Sequence, residues 1–117
     1  TLGDIECNGD LKHGGSIISS DIAYKSDIVD IPYGLDIIDK LKPKEYTADY
    51  DNKRHIGLIA QDVKVAIDES GTTFSGWSED ANGKQGIQYS AMVVPLIKAV
   101  QELSAEVKSL KQQLEDK

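Results

Sequence analysis

Few residues in this chain of 117 are placed to do chemistry. Cys7 is its one cysteine, and His13 and His55 are its two histidines. A thiol nucleophile needs a base beside it. Cys7 has no evident one, and the histidines lie far apart, so Cys–His chemistry is not expected. The carboxylate pairs Asp36/Asp39 and Asp68/Glu69 stand beside apolar residues and read as solvated charge. Phe74 and Trp77 read as caps on a small core or fillers of an intersubunit groove rather than ligand contacts. Phosphate loops, Gly-x-Gly-x-x-Gly and zinc-helix motifs are all missing from the sequence. One cluster stands apart, Ser20-Asp21-Ile22-Ala23-Tyr24-Lys25. A serine five residues before a lysine is common, and its ordinary reading is a turn cap with Asp21 and a solvated ammonium. Its position gives it weight, because it falls where a glycine-rich leader meets a mixed apolar and polar block.

The elements around that cluster follow from spacing. Residues 1–19 repeat a Gly-Asp-apolar unit at Gly3-Asp4-Ile5 and Gly9-Asp10-Leu11, and they add Gly14-Gly15. Glycine at this density forbids a helix and supplies tight turns. One apolar residue per short unit makes no core alone and is typical of strands stacking on copies of themselves. A frayed leader is the other reading. Further on, Pro32-Tyr33-Gly34 predicts a turn, and Leu35, Ile38 and Leu41 predict a short amphipathic helix ending before Pro43. Alternation of Tyr46, Ala48 and Tyr50 predicts a strand, Asp51-Asn52 a turn and residues 56–59 a second strand. Residues 61–67 read as a helix with Val63, Ala66 and Ile67 on one face. Asn82-Gly83 predicts a hairpin between residues 72–78 and 84–89. Ser90 is the expected N-cap of a long helix. Along it Val93, Leu96, Val100, Leu103, Val107, Leu110 and Leu114 keep an unbroken heptad register, valine at a and leucine at d until the final a. The register continues past any core the preceding residues could offer, so a coiled coil is preferred to a helix packed on its own domain.

Charge divides the chain in the same places. Residues 1–19 carry three acids and one lysine, residues 20–89 thirteen acids and eight bases, and residues 90–117 four of each. The formal net charge of −7 leaves no basic face for tracking phosphates, so a nucleic-acid partner is not expected. A single cysteine excludes an intramolecular disulfide and a four-cysteine zinc site, and fits a reducing compartment. No apolar run reaches the roughly 20 residues of a membrane span, and residues 1–4 lack the features of a secretion signal. Neither metal nor organic cofactor is expected.

Four stretches, in order and spacing, resemble one known family. They are Ser20-Asp-Ile-Ala-Tyr-Lys25-Ser-Asp-Ile, Gly34-Leu-Asp-Ile-Ile-Asp-Lys-Leu-Lys-Pro43, His55-Ile-Gly-Leu-Ile-Ala-Gln61-Asp-Val, and a run from Tyr89 through Pro95 to Leu103. The family is the S74 peptidases, the C-terminal intramolecular chaperone domains of phage tailspike, tail-fibre and neck-appendage proteins. The resemblance implies a homotrimer that helps its own β-helical passenger fold and then cuts itself away. It implies a Ser–Lys dyad of Ser20 and Lys25, with cleavage between Ser19 and Ser20. Residues 1–19 then become the C-terminal end of a triple β-helix stalk. Residues 20–117 become the chaperone, an α+β domain over 20–89 with a coiled-coil helix over 90–117. The location implied is the host cytoplasm during phage assembly, with the mature passenger on the virion and the chaperone released. A module that trimerises and caps the fibre without chemistry is the alternative, and a coiled-coil adaptor unrelated to fibres a further one. This chain has Ala23 where family members often carry arginine or another polar residue, so slow or blocked cleavage is expected.

The chemistry implied sets a condition. Lysine serves as a base only when neutral, and its unperturbed pKa is about 10.4. Bringing it near 7 is a shift of about 3 units, roughly 4 kcal/mol, normally supplied by desolvation. A monomer this small has little with which to bury an amine beside Asp21 and Asp27. Three chains closing around a stalk have more.

Overall fold

In a computed structural model the structure describes residues 19–117. The Gly-Asp-apolar repeat, Cys7 and His13 therefore lie outside the described residues. The chain divides into two units, Thr1–Asp30 and Ile31–Lys117.

The second unit is α+β, with a long C-terminal helix and two small sheets. Helix α1 (Leu35–Ile38) is followed by strands β1 (Lys44–Thr47) and β2 (Arg54–Gly57). Helix α2 (Ala60–Ser70), strands β3 (Trp77–Glu79) and β4 (Gln85–Ile87), a 3-10 turn (Tyr89–Met92) and helix α3 (Val93–Glu115) complete it. Each sheet is an antiparallel pair, β1 with β2 and β3 with β4. The core is small: Ile37, Val63, Ala66, Ile67, Phe74 and Met92.

Helix α2 matches its pattern, with Val63, Ala66 and Ile67 buried as expected. Gly71 ends it in the left-handed conformation at φ 66. The Gly71 amide donates to the Asp68 carbonyl and the Thr72 amide to that of Ile67, which is the Schellman arrangement. The Asn-Gly hairpin also forms, with Gly83 at φ 85 and the Asp80 carboxylate accepting from the Asn82 and Lys84 amides.

Elsewhere local geometry departs from the pattern. Helix α1 is a single turn, and Ile37 rather than the Leu35/Ile38/Leu41 row is its buried residue. Strand β1 stops at Thr47. Ala48 is buried, while Tyr50 is exposed in the turn, where Asn52 takes φ 58. Strand β2 begins two residues before the expected 56–59 stretch. Its end is set by the Leu58 amide, which donates to the Tyr89 hydroxyl at 2.8 Å and so leaves the ladder.

Ser90 does not cap α3. It lies inside the 3-10 turn, and the helix begins at Val93 with no side-chain cap bond at Met92. Pro95 is then in the first turn, where its missing amide costs nothing. The face that α3 turns to its own domain is Pro95 and Ala99, both buried, with Glu102 beyond them. Glu102 Oε1 accepts from the Leu35 amide at 2.8 Å across 67 residues of sequence. All seven heptad residues, by contrast, are 43–68% exposed. Two adjacent faces of one helix are thus separated, and the core uses the one without the heptad.

Candidate functional site

Ser20 and Lys25 meet within the first unit. Asp21 precedes a 3-10 turn over Ile22–Tyr24 and caps it, its carboxylate accepting from the Ala23 amide at 2.8 Å. The Tyr24 amide donates to the Asp21 carbonyl and the Lys25 amide to that of Ile22, each at 3.1 Å. This reversal carries the Lys25 side chain back, and Nζ donates to Ser20 Oγ at 2.7 Å. The cap is Asp21, not Ser20, so the Ser20 hydroxyl is left to the ammonium. Aspartate is among the best N-cap residues, and that preference was the signal available in the sequence.

The whole of residues 19–30 is exposed, Ser19, Ser20 and Lys25 included. Ile22, Tyr24, Ile28 and Val29 are 63–84% exposed. Asp27 sits at φ 54, a left-handed value that aspartate tolerates better than most residues. Ser–Lys contact is therefore present, while desolvation of the amine is not supplied by the described residues of this one chain.

The other candidates have structural work. Asp36 Oδ1 accepts from the Gly34 and Ile37 amides and orders the start of α1. Asp68 pairs with Lys64 at 2.9 Å, and Lys64 also lies 5.0 Å from the centre of the Trp77 ring. Phe74 is buried in the core, and half-buried Trp77 packs against it while its Nε1 donates to Gln85. His55 bonds Asp51 at 2.8 Å and stacks on Tyr46 with centroids 6.0 Å apart, bracing the β1–β2 hairpin. An open apolar groove of about 600 Å³ runs between residues 43–45 and 56–58 beside Tyr89, and it holds neither His55 nor a serine. Among the described residues no group of three or more His, Cys, Asp or Glu could hold a metal ion, and no helix is long and apolar enough to cross a membrane.

Comparison with known proteins bears on this segment. Residues 20–72 match the family model Peptidase_S74, described as chaperone of endosialidase. That stretch is just under half of the chain, and the family it matches is the one the sequence resembles. The Tyr89–Leu103 motif lies beyond it. No curated protein and no solved structure matches the chain.

Proposed function

We propose that this chain is an intramolecular chaperone that trimerises, assists the folding of a β-helical passenger N-terminal to it, and releases itself by cleavage between Ser19 and Ser20. One observation carries the reading: Lys25 Nζ lies 2.7 Å from Ser20 Oγ, at the start of the stretch that matches a chaperone and peptidase family.

Lys25 in its neutral form takes the Ser20 proton, and Oγ attacks the carbonyl carbon of Ser19. Collapse of the adduct breaks the Ser19–Ser20 peptide bond, frees the Ser20 amine with a proton returned from Lys25, and leaves Ser19 as an ester of the Ser20 hydroxyl. Water then hydrolyses the ester. Each turnover consumes its own substrate, so the reaction happens once per chain. Contact geometry is a property of the single chain in this scheme. Burial of the amine depends on assembly, because the residues around Lys25 are exposed in the single chain.

The exposed heptad stripe of α3 supports the oligomer, and valine at a with leucine at d is compatible with a small bundle. In a three-chain bundle with the passenger's strands entering it, correct closure is what buries Lys25, which makes cleavage a report of completed folding. Ala23 offers no side-chain donor beside the dyad, and cleavage is slow on that account.

The same exposure favours the alternative, a trimerisation cap that never cuts. Intact mass of the purified chain separates the two. Ser20→Ala and Lys25→Ala each leave only the full-length species, while the unsubstituted chain yields a second species beginning at Ser20. Undiminished cleavage in either variant removes the dyad, and a wild-type chain that stays whole after assembly leaves the cap.

A further inference from the structure

We infer that Asp21 is a positioning residue for self-cleavage, acting as a neutral-or-charged hydrogen-bond acceptor that holds the turn between Ser20 and Lys25, and not as a charge acting on the lysine. This rests on the dyad reading above. Lys25 lies five positions after Ser20, a span of roughly 17 Å when extended at 3.3–3.6 Å per residue. A lysine side chain does not cross that distance, so the contact exists only while the chain between is folded back. The fold-back is minimal. It consists of one 3-10 turn with two backbone hydrogen bonds, all of it exposed, and none of its residues is buried. Short 3-10 turns have poor hydrogen-bond geometry, and water competes for each exposed amide.

What the turn has in addition is the Asp21 carboxylate on the Ala23 amide at 2.8 Å. That amide is one of the orphan donors at the start of any helical turn. Satisfying it fixes residues 21–23, and with them the direction in which Lys25 leaves. The carboxylate also carries a negative charge, and its removal is a change separate from removal of the cap. Cap and charge therefore predict different outcomes when aspartate becomes asparagine, a cap of equal rank without the charge.

The test uses the full chain with three substitutions. Asp21→Ala slows cleavage about fivefold, the equivalent of about 1 kcal/mol of cap free energy. Asp21→Asn restores the rate to the wild-type value. Ser20→Ala supplies an uncleavable background in which the turn is read without chemistry. In that background a nuclear Overhauser contact across the turn, between the Ile22 α and Lys25 amide protons, is expected, kept in Asp21→Asn and lost in Asp21→Ala. An Asn variant as slow as the Ala variant overturns the inference, as does an Ala variant that keeps the contact. Cleavage persisting in Ser20→Ala strikes the dyad itself, while the proton contact still decides whether Asp21 holds the turn.

Discussion

Tyr33 shows what a single partly buried group contributes. It packs against the core, and burial raises its phenol above the usual tyrosine value. The folded chain thus keeps the Tyr33 proton at a pH where the unfolded chain has begun to lose it. With more protons bound in the folded state, stability falls as pH rises. The contribution is complete below about pH 10, the unfolded value, and is lost as pH climbs through the raised folded value. Urea midpoints measured from pH 8 upward are expected to drop above about pH 10, with a shallower drop in Tyr33→Phe; equal slopes would remove Tyr33 as the cause. Residue-scale chemistry was otherwise unevenly legible. Ser20 and Lys25 could be picked out by their place in a family motif, whereas the spacing alone was uninformative. Asp21 was readable as a cap from its type. What the sequence did not carry was which oxygen caps the turn, because Ser20 and Asp21 are both good caps and only the backbone path decides between them.

At the scale of elements, the contact of α1 with α3 explains why some patterns failed and others held. Helix α2 is eleven residues long, with a clean apolar face and a glycine stop, so its own sequence specifies it. Helix α1 has one turn and depends on a residue 67 positions away, since Glu102 satisfies its Leu35 amide. No local rule finds such a partner. Gly34 is the condition for this approach. A Cβ there would lie 2.5 Å from Glu102 Oε1, 2.7 Å from Lys98 Cγ and 3.1 Å from the Ala99 backbone nitrogen. The glutamate oxygen can move, but only by leaving the Leu35 amide, and the α3 backbone cannot move cheaply. Gly34→Ala is expected to cost about 1–3 kcal/mol, in the range of overpacking, read as a lowered urea midpoint with unchanged slope. Gly71→Ala is the control, because nothing lies near its Cβ and only its left-handed φ is penalised, about 1–2 kcal/mol. If Gly34→Ala proves neutral, the packing of α1 on α3 is looser than described. Ser90 failed as a cap for a related reason: Tyr89, committed to Leu58, pulls the chain into a 3-10 turn before the helix can begin.

For the whole molecule the decisive quantity is apolar surface left in water. Six residues form the core cluster of the second unit, while seven heptad residues of α3 are about half exposed. Had α3 been an amphipathic helix serving its own domain, Val100 and Leu103 would be buried, and replacing them would unfold that unit. Because Ala99 and Glu102 make the internal contacts, the a and d positions can be changed without touching the core. Val100→Glu with Leu103→Glu is therefore expected to dissociate the proposed trimer, measured by sedimentation, while far-ultraviolet circular dichroism keeps the signal of α2 and both hairpins. A double variant that loses all secondary structure would return the stripe to an internal role. The same variant tests what assembly does for the site. Its Ser20–Lys25 contact is local to residues 19–25 and survives dissociation. Its lysine is exposed, and the closure proposed to bury it is lost. Cleavage by the dissociated variant, followed by intact mass, is accordingly expected to fall well below that of the assembled chain at pH 7. Equal rates for monomer and assembled chain at pH 7 would mean that Lys25 is activated without its neighbours, and the link between correct assembly and release would be lost.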